Sequence, residues 1–316
     1  MIDGLKGVIK IPSRWFLCPD QEEIEIAKCL QPKGCRMKER CAALPYLRLI
    51  GYDREWKGIS PSSAGSGARS LYLKATTDYT IDPEQRVWAA FGTSTHNKLS
   101  LYSYNVLSEE TLTDGQMQGI ADLLEEDENQ EGYFNLWDFK NWGSYKAALA
   151  LGITTLVEEE TVLDEDGKPR ILKSGKNKGK VKTKQKRTIV QDDSKTDLRS
   201  EELQLNRYRI FYEESGFPIS KMLIQVMVRD GGLYIAKNRG IEKNKYIIPI
   251  RRIPNSEVLS FYQVLSAKME KAFKYGYTKK CDLWESMNGQ KCERFCEVKD
   301  SCQLMSKSNN ERWGLI

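Results

Sequence analysis

Eight cysteines constrain this 316-residue chain more than any other feature, because they divide four and four between its ends. Cys18, Cys29, Cys35 and Cys41 lie in the first 41 residues, Cys281, Cys292, Cys296 and Cys302 in the last 36, and the 239 residues between hold none. Thiols scattered through a core would not be expected to segregate in this way. In a reducing compartment a chain of this size does not rely on disulfides, so the distribution points to metal ligation by at least one quartet, with inert thiols as the competing reading. The spacings are x10, x5, x5 at the N-terminal end and x10, x3, x5 at the C-terminal end. Neither includes the compact Cys–x2–Cys knuckle of common zinc modules, so zinc is not specified. Each quartet holds its own metal, or ligands are exchanged between the ends.

With 40% hydrophobic and 29% charged residues the chain reads as globular. The N-terminal stretch "GLKGVIKIPSRWFL" carries Lys6, Lys10 and Arg14 and lacks the unbroken apolar run of a signal peptide. No stretch approaches the roughly 18 apolar residues of a membrane span. The expectation is a cytoplasmic location, or a virus-encoded protein acting in a cytosol, with no membrane partner. A net charge of +5 supports a polyanionic partner only weakly, so the distribution of charge matters more than its sum.

Three segments follow: residues 1–60, a cysteine-containing N-terminal segment; 61–275, a core with a charged insertion at about 158–200; and 276–316, the C-terminal cysteine cluster. Within the core, helices are predicted from near Ala68 and over about 88–104. A strand pair, Gly119 to Leu124 and Tyr133 to Lys140, flanks an acidic turn. A helix over "RSEELQLNRYRIFYEESG" stops at Gly216, and "SKMLIQVMV" and "LYIAK" read as a hairpin across "RDGG". In the last helix Val258, Phe261, Leu265 and Met269 repeat at helical spacing and read as core. The order is that of an α/β domain. The insertion opens with six acids in nine residues from Glu158, then holds ten Lys or Arg and no acid between Lys168 and Arg187. Such a block is too polar for a core and reads as a mobile loop or extended hairpin, either solvated decoration or an arm that grips phosphates.

Asp138 and Lys140 straddle Phe139, so in a strand both point to one face, and Asp122 ends the neighbouring strand. Two carboxylates brought together repel unless a divalent cation lies between them, and oxygen donors suit Mg²⁺ or Mn²⁺. A lysine beside such an ion can stabilise developing phosphate charge. Gln204 and Tyr208, four apart, share a helix face, and His96, the sole histidine, lies four residues after Gly92 in the earlier helix. The missing side chain of Gly92 is expected to let that helix approach the sheet, so that His96 becomes a third protein ligand.

Taken in order, Gly92–x3–His96, Gly119–x2–Asp122, Asp138–x–Lys140 and Gln204–x3–Tyr208 resemble the motifs of the RecB-like nucleases of the PD-(D/E)XK superfamily, over roughly residues 61–302. The resemblance implies a restriction-endonuclease-like α/β core, a mixed sheet flanked by helices, with cysteine-rich terminal metal-binding segments. It also implies catalytic roles: His96, Asp122 and Asp138 on the metal, Lys140 assisting the water, Gln204 and Tyr208 supporting the site. Cys292–x3–Cys296–x5–Cys302, preceded by Cys281, further resembles family members related to the CRISPR-associated adaptation nucleases and the AddB subunit of recombination helicase-nucleases. Those hold a [4Fe–4S] cluster with one cysteine upstream of the core and three near the C-terminus. Here the turn before the first core helix, "SSAGSGARSLYL", has no cysteine, and the nearest upstream is Cys41.

The implied activity is a Mg²⁺- or Mn²⁺-dependent deoxyribonuclease used in recombination, repair or phage replication, an exonuclease by resemblance, with a [4Fe–4S] cluster or Zn²⁺ at the cysteine quartets. Its partners would be DNA, as single strands or duplex ends, and a helicase, annealing protein or other recombination or replication subunit. The competing classes are a non-catalytic, metal-stabilised nucleic-acid-binding module and a structural subunit of a larger assembly. An RNA substrate stays open.

Overall fold

Apolar side chains alternate along "ISKMLIQVMV", and the alternation resolves into a strand whose Met222, Ile224, Val226 and Val228 are all buried. A computed structural model describes residues 14–52, 56 and 58–312; Lys6 and Lys10 lie outside them. In chain order the elements are β1 (Arg14–Leu17), β2 (Glu23–Glu25), α1 (Ile26–Cys29), α2 (Leu44–Gly51), a 3-10 turn at Pro61–Gly65, α3 (Ala68–Thr76), β3 (Tyr79–Ile81), α4 (Val87–Ser100), β4 (Leu107–Thr113), β5 (Gln118–Glu126) and β6 (Phe134–Trp142). There follow α5 (Ser144–Ala150), β7 (Ile153–Thr161), β8 (Thr183–Gln191), α6 (Arg199–Glu214), β9 (Ile219–Val228), α7 (Tyr234–Lys237), β10 (Lys245–Pro249), α8 (Asn255–Tyr275), α9 (Gln290–Arg294) and α10 (Lys299–Arg312). The architecture is mixed α/β, with mixed sheets flanked by helices. Among the described residues no helix is long and apolar enough to cross a membrane.

The chain divides into two units, one of Met1–Phe139, Arg199–Ile224 and Pro249–Ile316, the other of Lys140–Leu198 and Gln225–Ile248. In the first, β2-β1-β3 form a small sheet, β1 antiparallel to β2 and parallel to β3. The larger sheet has five strands in the order β10-β9-β6-β5-β4. The pairs β4–β5 and β5–β6 are antiparallel. The Phe134 N–H donates to Pro218 O at 2.9 Å where both strands begin, so β9 lies parallel to β6, and such a pair needs a crossover. Helix α6 lies on that crossover.

Nearly every residue of α6 from Leu203 to Tyr212 is buried, including Asn206, Arg207 and Arg209. Buried polar groups demand partners. Asn206 Nδ2 donates to Arg251 O and its Oδ1 accepts the Ile253 N–H, each at 2.9 Å, while Arg209 donates to Ile253 O at 3.0 Å, Asn255 Oδ1 at 2.6 Å and Glu213 at 2.7 Å. Arg207 pairs with Asp114, just past β4. One helix therefore staples the strand at the sheet edge and the segment entering α8. Within α8, Val258, Leu265 and Met269 are buried as predicted, the last two against Ala68, with Phe261 packed on the same cluster.

In the second unit the charged insertion is a hairpin, β7 antiparallel to β8. Its acids and bases do not repel. Glu158 faces Lys186 and Glu160 faces Lys184, the latter pair 3.3 Å apart, so opposite charges meet across the strands. The stretch "LYIAK" departs from the predicted strand: it holds the short helix α7, and β9 pairs instead with β10, the Val228 N–H donating to Asn244 O at 2.8 Å. A short apolar run has no period of its own, and only Ala236 of α7 is buried. Helix α2 and strand β4 are two further elements that periodicity did not reveal.

Arg209→Met should cost about 3 kcal/mol or more, because it strands a buried carbonyl and leaves Asn255 and Glu213 without their shared cation. Urea unfolding with an unchanged m-value measures it.

Candidate functional site

Strands β4 and β5 pair with Ser108 opposite Leu123 and Glu110 opposite Ala121, which brackets Glu109 against Asp122. Like charges directly opposite on an antiparallel pair are destabilising. The backbone of Glu109 adds strain, with φ at 53°, a left-handed conformation that non-glycine residues avoid and that clusters at functional sites. Helix α4 brings His96 to the same place: its Nδ1 lies 3.4 Å from Asp122 Oδ1 and 3.9 Å from Glu109 Oε1, and its ring meets Phe139 edge-on at 6.2 Å. One ligand atom from each of His96, Glu109 and Asp122 lies within 4.8 Å of the others.

The second carboxylate oxygen of Asp122 has a separate task. Past Leu123↔Trp137, Asp122 Oδ2 accepts the Phe139 N–H at 2.7 Å, so a side chain takes over where the ladder between β5 and β6 stops. The neighbouring Asp138 is buried, at 3% exposure, and its Oδ1 accepts from Gln204 Nε2 at 3.2 Å. One turn further along α6, Tyr208 is buried within electrostatic reach of both aspartates. Burial, then the charges of Asp138 and Asp122, push its hydroxyl well above the ordinary value, against the pull of Gln204 and the Ile120 amide. The phenol is thus a neutral hydrogen-bonding group. Tyr212, one more turn on, is pushed up to about 12 by burial, with Glu110 and Asp122 adding to it.

The two glycines differ. A Cβ at Gly119 would lie 2.6 Å from Pro61 Cδ and 2.8 Å from Tyr208 Cε1, so its bare backbone lets α6 and the 3-10 turn close over β5. A Cβ at Gly92 would meet nothing within 4 Å. The expectation that Gly92 brings its helix against the sheet is therefore wrong: α4 buries only Ala90, and His96 reaches the carboxylates by the length of its own side chain.

The first unit brings His96, Asp122, Asp138, Gln204 and Tyr208 together. Lys140, half-buried, stands two residues after Asp138 on β6 and belongs to the second unit. Glu109 escaped sequence reasoning, because "SEETLT" is an ordinary acidic stretch until the register of β4 places it opposite Asp122.

All eight cysteines are free thiols. Cys18, Cys29, Cys35 and Cys41 line one cavity of about 10 Å³, together with Arg36 and Arg40. Burial, then the nearby Cys35, raises the Cys29 thiol, and burial with Cys18 raises that of Cys41. Cys41 thus sits with its N-terminal neighbours. At the other end, burial raises the Cys281 thiol, with Cys292 nearby. Burial lowers the Lys291 ammonium, while Cys281 and Cys296 favour its charge, and its Nζ donates to Gly65 O at 2.9 Å. Cys281 Sγ lies 3.9 Å from Ser66 O, and a Cβ on Gly67 would come within 2.7 Å of that sulfur. The turn that lacks a cysteine of its own is thus filled by Cys281. The Cys302 carbonyl accepts from Arg69 of α3 at 2.7 Å.

No protein-family model matches the chain, and no curated protein matches it. The chemistry of the two donor sets is accordingly the basis for function. Carboxylates with one imidazole suit Mg²⁺ or Mn²⁺, and thiolates suit zinc or iron.

Gly119→Ala should destabilise by about 1–3 kcal/mol, since neither Pro61 nor Tyr208 can withdraw freely, whereas Gly92→Ala should be neutral or stabilising by up to about 1 kcal/mol. Paired urea titrations check both. Glu109→Gln should shrink the Tm increase that Mn²⁺ produces in the wild type.

Proposed function

We propose that this protein is a metal-dependent DNA nuclease with a PD-(D/E)XK core, hydrolysing phosphodiester bonds as an exonuclease in recombination, repair or phage replication. The observation that carries this reading is the pair of carboxylates, Glu109 and Asp122, opposed across a strand pair with His96 Nδ1 within 3.4 and 3.9 Å of them. One imidazole and two carboxylates this close together are a donor set for a divalent cation.

Asp122, His96 and Glu109 would hold Mg²⁺ or Mn²⁺, and the family resemblance gives Asp138 to the metal as well. The ion, when bound, supplies Lewis acidity and a water of lowered pKa. Gln204 keeps Asp138 oriented by donating to Oδ1. Tyr208 stays protonated and can hydrogen-bond without adding charge. In the resembling family a lysine at the motif position of Lys140 assists the attacking water.

Cys281, Cys292, Cys296 and Cys302 would hold the [4Fe–4S] cluster or Zn²⁺ of the resembling family members, clasping the C-terminal segment to the turn at Gly65–Gly67. Beyond the charge-paired stem of the β7–β8 hairpin, Lys168, Arg170, Lys173, Lys176, Lys178 and Lys180 form a basic end suited to DNA phosphates. A helicase, annealing protein or other recombination subunit would deliver the substrate.

The test uses end-labelled linear DNA and covalently closed circles with Mg²⁺ or Mn²⁺. Wild type should degrade only the linear form. Asp122→Ala and Asp138→Ala should bind DNA and not cleave it, and His96→Ala should cleave at least about tenfold slower. Cleavage by Asp138→Ala at the wild-type rate would leave a nucleic-acid-binding module as the reading, and digestion of circles would make the enzyme an endonuclease.

A further inference from the structure

The N-terminal cysteines serve none of the chemistry proposed above, yet all four line one cavity. Cys18 directly follows β1, Cys29 ends α1, and Cys35 and Cys41 lie in the stretch 30–43, which contains neither helix nor strand. Two tight turns shape the approach. The Gln21 N–H donates to Cys18 O at 2.9 Å with Gln21 at φ 66°, and at Gly34, just before Cys35, a Cβ would fall 1.8 Å from Lys28 O. Arg40 ties the stretch down by donating to Cys29 O and Gln31 O, each at 2.9 Å.

The cavity these thiols line, about 10 Å³, is about the volume accessible to the centre of one water-sized body. That suits a single ion and is too small for a four-iron cube. Its lining carries no carboxylate and no imidazole, and the sulfurs are four, the number that closes a tetrahedral structural zinc site. Binding Zn²⁺ as four thiolates releases four protons and leaves the site with a charge of −2. Two cations stand ready to offset it: Arg40, and Arg36, which hydrogen-bonds Cys18 as well as pairing with Asp20.

The geometry points to a mononuclear Zn²⁺ site formed by Cys18, Cys29, Cys35 and Cys41, separate from the C-terminal cysteines and from the nuclease centre. Its work is structural. The small core beside it is Phe16, Ile24, Ile26, Leu47, Ile50 and Ile81 with Cys18 and Cys29, and it includes Ala90 of α4, the helix that carries His96. A core this small gains from a cross-link, and the ion ties the irregular 30–43 stretch to it.

Zinc per chain is measured by mass spectrometry of the metal content in full-length protein. Cys35→Ser and Cys41→Ser should each lose one zinc relative to wild type, while Asp122→Ala keeps it, so the result is independent of whether the protein cleaves DNA. Unchanged zinc in both cysteine variants, or loss of iron in place of zinc, overturns the assignment. A measurement on wild type alone guards against misfolded variants: Cys41 is exposed, so its alkylation should be fast after chelation and suppressed when zinc is restored. Equal alkylation of Cys41 with and without zinc also overturns it.

Discussion

The antiparallel register of β4 on β5 brings Glu109 and Asp122 to one place, and the rest of the site is arranged around these two like charges. Two carboxylates in this position cost free energy in the absence of a counter-charge. The fold nevertheless holds them there. Arg207 of α6 pairs with Asp114 and anchors the end of β4, while Asp122 is locked by the Phe139 N–H on its other side. Neither strand can slip to relieve the repulsion without giving up a buried ion pair or a hydrogen bond.

Helix α6 supports both sides of this arrangement. Its buried Asn206, Arg207 and Arg209 each have a partner elsewhere in the first unit, and the same helix presents Gln204 to Asp138 and Tyr208 to Gly119. Stability and site geometry are coupled here. A substitution that loosens the staples at Asn206 or Arg209 would also loosen the orientation of Asp138, because a helix this deeply packed moves as one body.

The two donor sets divide the labour by chemistry. Oxygen and imidazole donors gather on the edge of the larger sheet, a set that suits Mg²⁺ or Mn²⁺. Thiols gather at the N-terminal core and at the Gly65–Gly67 turn, a donor type that suits zinc or iron. The β7–β8 hairpin belongs to neither. Its stem neutralises its own charge across the strands, which leaves the net positive charge at its far end.

Much of the core was legible from local pattern, because period and punctuation are properties of neighbouring residues. The helices at Ala68, Arg199 and Asn255, the stop at Gly216 and the strands bearing Asp122 and Asp138 all follow from spacing that the chain carries in itself. So does the segregation of the cysteines. Other features depend on which distant segments meet. Glu109 is an unremarked acid until strand pairing sets it opposite Asp122; Gly119 matters, and Gly92 does not, only because of what packs over each. The run "LYIAK" carries no period, so its neighbours decided between strand and helix. The sequence by itself determined most of the core elements, the donor types and the two groups of thiols. The tertiary structure alone decided that the N-terminal four share one cavity and that Cys281 lies at the turn before α3, because proximity between residues far apart in the chain is set by packing rather than by local preference.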